Sequence, residues 1–314
     1  MDKVRHRLAE LGFSDNVIEC YGEKHRHYHN ENHLRDVLSY LSLKGEVSDE
    51  LFLAAVYHDA VYDPRSDKNE WLSAEMFLVD AAGTNLSSEQ KEKIKRYILD
   101  TREHDPSDAV SASLIEADLS ILNQPFSRLM QYEYEIFKEF QFVDYSIYKS
   151  RRLEVLKRMN EGGKLNHLIE FVEYRTPAIG VFCGSFNPFH KGHFNVLQKA
   201  ERIFDKVIVA FGKNPDKNVR TWPVPRSLDF HQKEEYSGLL TDFLDTLKYN
   251  VVVIRGLRNS TDFQYEQNQY RYIQELKPGV KIINIFCDKE FEHISSSGIR
   301  TLEKFDKHHR YLLD

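Results

Sequence analysis

Cysteine is scarce in this chain. Cys20, Cys183 and Cys287 are the three in 314 residues, widely spaced and without a CxxC pair. That excludes a disulfide framework and a zinc ribbon, and it fits a reducing compartment, so a cytoplasmic location is expected. Long apolar runs are missing too. None approaches the ~18 residues that a membrane helix needs. The charged start, Met1-Asp2-Lys3-Val4-Arg5-His6-Arg7, offers no apolar segment of a signal peptide. Positive charge is not in excess: 43 Lys and Arg face 49 Asp and Glu, a formal net charge of −6. This argues against nucleic acid or an anionic membrane as partner, and leaves room for a local basic pocket. Internal repeats and low-complexity segments are not found. What is present is an ordinary globular composition, 41% hydrophobic and 29% charged, over a length that suits two domains.

The periodicity changes once along the chain. Up to about Tyr174 the patterned stretches are helical. Asp49 to Tyr62 reads as a largely buried helix, and Asn69 to Ala82 ends at Gly83, a plausible C-cap. Ser87 and Gln90 have the spacing of a capping box. Further helices are expected over 126–140 and 144–161, the second stopped by Gly162-Gly163. After Glu173-Tyr174-Arg175-Thr176-Pro177, strands alternate with helices: strands at 178–183, 206–212, 250–254 and 280–286, helices at 192–204, 238–248, 261–276 and 295–305. Such alternation predicts a parallel sheet with helices on both faces and ligands at the carboxyl ends of the strands. The expected domains are an all-α one at 1–175 and an α/β one at 176–314.

The chemistry of the first half lies in histidines and aspartates. His25 to His33 holds four of the 14 histidines, and His58-Asp59 ends an apolar helix. Burying a His-Asp pair is costly unless something satisfies both groups. A divalent metal would do so, since imidazole and carboxylate suit Zn, Mn, Fe or Ni and carboxylate with water suits Mg. A His on one helix, a His-Asp pair on another and a distal Asp resemble the HD-domain metal-dependent phosphohydrolases. The resemblance implies His33, His58, Asp59 and Asp118 as metal ligands, with His29 and His104 as further candidates. It implies hydrolysis of a phosphate ester, with the metal activating water and polarising the phosphoryl oxygen.

The second half carries the most informative stretch, Gly184-Ser185-Phe186-Asn187-Pro188-Phe189-His190-Lys191-Gly192-His193. It sits between an apolar strand and a helix start. Gly184 lets backbone approach a ligand, and free N–H groups at the helix start suit an anion. His190 and His193, three apart, are both expected to face the same phosphates. The pattern resembles the nucleotidyltransferase superfamily with its (T/H)xGH motif. Three later loops add Lys213 to Lys217, then Arg255-Gly256-Leu257-Arg258 with Asp262-Phe263-Gln264-Tyr265-Glu266, and Ser295-Ser296-Ser297-Gly298-Ile299-Arg300. Lys217, Arg255, Arg258 and Arg300 are thus expected to form a cationic pocket for a triphosphate.

The order of these motifs resembles the phosphopantetheine adenylyltransferases over nearly all of 178–305. That implies a Rossmann-like fold and transfer of AMP from ATP, taken with Mg²⁺, to 4'-phosphopantetheine. It implies His193, Lys217 and Arg255 as catalytic groups. Gly184, Ser185, Phe186, His190, Arg258, Glu266, Ser295, Ser296, Ser297 and Arg300 would bind ATP or acceptor. Glu266 is expected near the ribose or adenine, and the three serines at the ATP phosphates. The chain departs from the family with His190 for a common threonine, Cys183 for a usual proline, and a short 214–236 segment. Three alternatives stay open: a nicotinate or nicotinamide mononucleotide acceptor, a CTP donor, and a nucleotide-sensing regulator with one inactive domain. A homo-oligomer stays open as well. The expected whole is bifunctional, a hydrolase domain followed by an adenylyltransferase domain.

Overall fold

Polar caps start several helices of the first part of the chain. In the computed structural model, which describes residues 1–213 and 222–313, Asn30, Ser48, Ser87 and Asp108 each accept a hydrogen bond from the first turn of a helix. Ser87 and Gln90 form the complete capping box that their spacing predicts. The helices in order are α1 (Asp2–Glu10), α2 (Asn16–Cys20), α3 (Glu31–Lys44), α4 (Asp49–Tyr57), α5 (Asn69–Asp80), α6 (Ser88–Asp100), α7 (Ala109–Asp118), α8 (Phe126–Glu139), α9 (Tyr145–Arg158) and α10 (Asn166–Tyr174). Helix α4 is central: Leu51 to Tyr57 are all buried. Leu34, Val37 and Leu41 of α3, Phe77 of α5, Ile94 and Ile98 of α6 and Leu114 of α7 join its core. The apolar run of α4 stops at His58, one residue past the helix.

The chain then builds β1 (Ile179–Gly184), α11 (Lys191–Ala200), β2 (Lys206–Lys213), β3 (Lys233–Ser237), α12 (Leu240–Thr246), β4 (Val251–Leu257), α13 (Ser260–Leu276), β5 (Lys281–Phe286) and α14 (Ser296–Glu303). The sheet is parallel throughout, with strand order β3-β2-β1-β4-β5. Two differences from the expected elements matter. The strand expected at 250–254 runs on to Leu257, so Arg255 lies within it, opposite Asn284. Strand β3 was not expected: Lys-Glu-Glu-Tyr-Ser lacks the apolar pattern of its neighbours because it is an edge strand with alternating exposure.

By compactness the chain forms two units. One is Met1–Glu139 with Leu156–Glu170, the other Phe140–Val155 with Phe171–Asp314. The stretch Phe140–Val155, expected within the helical half, counts with the sheet. A reason lies in Lys206 at the start of β2. Its ammonium is buried and donates to the carbonyls of Gln141 and, at 2.9 Å, Val143. No helix among the described residues is long and apolar enough to cross a membrane.

Candidate functional sites

In the sheet unit the chain turns back at β1. It steps outward through β2 and β3, then returns to β4 and β5 on the other side. A crevice opens at such a point, beyond the carboxyl ends of β1 and β4. A cleft of about 390 Å³ lies there, lined by residues of the glycine loop, the Arg255–Glu266 stretch and the serine-led start of α14. Gly184, Ser185, Phe186, His190, His193, Arg255, Arg258, Glu266, Ser295, Ser296, Ser297 and Arg300 all line it. Lys217 lies outside the described residues.

The loop is braced from beneath. Phe186 has a left-handed backbone, φ +42°, costly for an aromatic residue unless packing holds it. Its ring packs on Phe182, Phe189, His193 and Phe211 at centroid distances of 4.8 to 5.5 Å. A side chain at Gly184 would meet that ring at 2.7 Å, so glycine is required there by packing. Phe186 therefore shapes the loop as well as facing the cleft.

The two histidines are not cations in this arrangement. Their rings stack with centroids 3.6 Å apart. Burial, reinforced by the positive Arg258, pushes His190 down to about 4. Burial, then His190 and Arg258, hold His193 well below the usual imidazole range. Nδ1 of His190 is buried and meets no hydrogen-bond partner among the described residues. The pair offers neutral donors to an incoming anion rather than standing charge.

The cationic pocket is likewise more balanced than the sequence implies. Arg255 is clamped by Glu266, with Nε and Nη2 donating at 2.6 and 2.7 Å, and its Nη1 lies 3.3 Å from Cys183 Sγ. Arg258 donates to Asp262 through Nε and Nη2, both at 2.8 Å. Arg255, the more buried of the two, needs such a partner. Asp262 and Cys183 thus belong to the site. Asp262 was legible only as part of its motif and Cys183 only as a departure from it. Arg300 donates to the carbonyl of Asn187, tying α14 to the loop. Ser295 caps α14 by accepting from Gly298 N–H, and Ser296 donates to the Pro188 carbonyl at 3.0 Å.

The helical unit gathers its own donors. His33 comes from α3, His58-Asp59 follows α4, and Asp118 ends α7. His33 Nε2 lies 3.1 Å from His58 Nε2, 3.4 Å from Asp59 Oδ2 and 3.2 Å from Asp118 Oδ1. His58 Nε2 is 3.2 Å from Asp59 Oδ2 and 3.7 Å from Asp118 Oδ1. His58 Nδ1 donates to the Ala55 carbonyl at 2.8 Å, which leaves Nε2 as a lone pair toward the cluster. His33, His58 and Asp118 each bring one ligand atom within 4.8 Å of the others, with Asp59 beside the two imidazoles, a set that fits a divalent cation. Burial pulls His33 down, but hydrogen bonds to Asp118 and Asp59 outweigh it and carry the ring up to about 10. Burial would raise both aspartates. His58 and His33 hold Asp59 well below the usual carboxylate range, and His104 and His33 hold Asp118 below it. The cluster is thus built to hold positive charge.

The two further candidates differ. His104 Nε2 approaches Asp118 Oδ2 at 3.8 Å. His29 instead turns Nδ1 to Glu139, 2.7 Å away, and stacks on Tyr62. Glu139 is fully buried and also accepts the N–H of Tyr28 and His29 and the hydroxyl of Tyr62. Burial would raise Glu139, yet His29 holds it down to about 2. Arg26, also buried, donates to the carbonyls of Asp59 and Ala60 and fixes the turn that carries Asp59. Neither Glu139 nor Arg26 gave any sign in the sequence, since their partners are far along the chain.

Known proteins cover the sheet unit. The family described as cytidylyltransferase-like matches residues 181–302. The phosphopantetheine adenylyltransferase of Mycoplasma capricolum is 35% identical over 139 residues, which span 41% of this chain and 99% of that protein. The enzyme of the same name from Levilactobacillus brevis is 34% identical over 137 residues, 41% of this chain and 84% of that protein. A bifunctional NMN adenylyltransferase/ADP ribose pyrophosphatase from Francisella tularensis aligns in structure with 17% identity, a TM-score of 0.32 and 44% of each chain. A likeness that small adds nothing to the assignment. Through its C-terminal region the chain belongs to the cytidylyltransferase-like nucleotidyltransferases, in the family of the phosphopantetheine adenylyltransferases.

Proposed function

We propose that the sheet unit transfers AMP from ATP, taken as its Mg²⁺ complex, to the phosphate of 4'-phosphopantetheine. An acceptor phosphate oxygen bonds to the α-phosphorus in line, the α–β bridging bond breaks, and pyrophosphate leaves with that oxygen. No side-chain nucleophile is needed; positioning and charge stabilisation suffice. His193 donates to the reacting phosphates, Arg255 steadies the acceptor phosphate, and the N–H groups at the start of α14 meet the ATP phosphates. Lys217 is assigned the orienting role. The observation that carries this reading is the cleft at the ends of β1 and β4, lined by residues of all three motifs. The names of the relatives favour pantetheine phosphate over other acceptors. The test is pyrophosphate release with ATP and a panel of acceptors. Pantetheine phosphate should be preferred, and His193→Ala should lower kcat about 10²- to 10³-fold, the scale for one lost transition-state donor. Wild-type turnover in that variant would remove His193 from the mechanism.

We infer a second activity in the helical unit, hydrolysis of a phosphate ester. It rests on the convergence of His33, His58, Asp59 and Asp118. These four residues would hold a divalent metal, and Glu139 would orient His29 beside them. When bound, the metal would supply Lewis-acid polarisation of a phosphoryl oxygen. Purified protein should carry metal that Asp59→Ala loses. Absence of metal, with no phosphatase or phosphodiesterase activity after adding Mn²⁺, Ni²⁺ or Mg²⁺, would leave a satisfied polar network as the better account.

A further inference from the structure

A third group of metal-type donors stands at residues 306–309, apart from both sites described above. Asp306, His308 and His309 each place one ligand atom so that all lie within 4.8 Å of one another. Asp306 Oδ1 is 2.9 Å from His309 Nε2, and the His308 and His309 rings lie 3.9 Å apart. Asp306 takes a left-handed backbone, φ +55°, which Asp tolerates better than most residues. An ordinary ion pair explains Asp306 and His309. It does not explain His308. That residue is 9% exposed, and its Nδ1 meets no hydrogen-bond partner among the described residues. A buried polar nitrogen left unspent costs free energy and calls for an explanation.

We propose that Asp306, His308 and His309 bind a divalent transition cation of the zinc, nickel and copper class, with water completing its coordination. Imidazole suits those metals, whereas magnesium and calcium prefer all-oxygen sites. The position gives binding a consequence. Lys191, the first residue of α11 after His190, donates to the Arg310 carbonyl at 2.7 Å. The Trp222 ring meets His308 edge-on, with centroids 5.4 Å apart, and the Trp222 backbone N–H donates to Asn187 Oδ1 at 3.0 Å. Asn187 belongs to the glycine loop. A cation at His308 and His309 therefore stiffens a segment tied to that loop at Asn187 and at Lys191.

Trp222 supplies the test. The chain has two tryptophans, so Trp71→Phe leaves Trp222 as the single reporter in the full-length protein. Ni²⁺, a quenching ion, should reduce its fluorescence along a saturable one-site curve, and Zn²⁺ should compete. Asp306→Asn and His309→Ala should each weaken the midpoint by about tenfold or more, the scale of losing support to a metal. Both side chains are largely exposed, so the variants should fold. No saturable quenching, or an unchanged midpoint in both variants, would overturn the proposal.

Discussion

His190 is enclosed by the loop it helps to form, and burial there has a consequence that can be measured. Its folded-state pKa, about 4, lies below the usual value of 6.5. Between those two pH values the unfolded chain binds a proton that the folded chain refuses. Stability is therefore full above about pH 6.5 and is lost as pH falls toward 4. The shift corresponds to about 2 kcal/mol lost between pH 7 and pH 5. His190→Asn should flatten that part of the pH profile in urea denaturation. An unchanged profile would mean that the imidazole is not buried neutral. The same neutrality bears on function, since a neutral imidazole still offers one N–H to a phosphate oxygen but no standing charge.

At the scale of elements, α13 faces β4 with carboxylates and receives arginines. The two resulting pairs look alike in the sequence but differ in environment. Side chains of Arg255 and Glu266 are 19% and 14% exposed, those of Arg258 and Asp262 37% and 22%. Removing one partner of a buried pair strands the other charge and costs about 3–5 kcal/mol. A more exposed pair four residues apart is worth about 1 kcal/mol or less. Glu266→Ala should therefore destabilise the sheet unit by about 3 kcal/mol, and Asp262→Ala by less than about 1 kcal/mol. Denaturant midpoints of the two variants decide it; equal losses would show that burial does not distinguish the pairs. Glu266, expected near the ribose or adenine, here also positions Arg255.

At the scale of the whole molecule, the two compact units interleave along the chain. A cut at Thr176, where the periodicity changes, separates the sheet from Phe140–Val155. It removes the carbonyls of Gln141 and Val143 that accept from the buried Lys206 ammonium. Burial pushes that lysine down to about 7 against the opposing pull of Asp144 and Glu234, and Asp144 goes with the same cut. A fragment starting at Thr176 should melt at a lower temperature than one starting at Phe140. Losing the two hydrogen bonds from the Lys206 ammonium, each worth about 1.5–3 kcal/mol, should make the difference at least about 5 °C. Equal melting temperatures would make the Lys206 tether dispensable.

The sequence by itself determined what is local and contiguous. The change from helical to alternating periodicity, the capping box at Ser87 and Gln90, and the Gly184–His193 loop are written in neighbouring residues. Each depends on spacing of a few positions, which a linear reading captures. The order of the arginine and serine motifs was enough to place them at one end of a parallel sheet. Tertiary structure decided what depends on partners distant in the chain. It paired Arg255 with Glu266, set Glu139 against His29 across more than a hundred residues, and assigned Phe140–Val155 to the sheet unit. It added β3, whose polar residues suit an edge and hide it from any apolar pattern. It also made His190 and His193 neutral, because charge depends on the burial around a residue and not on its type.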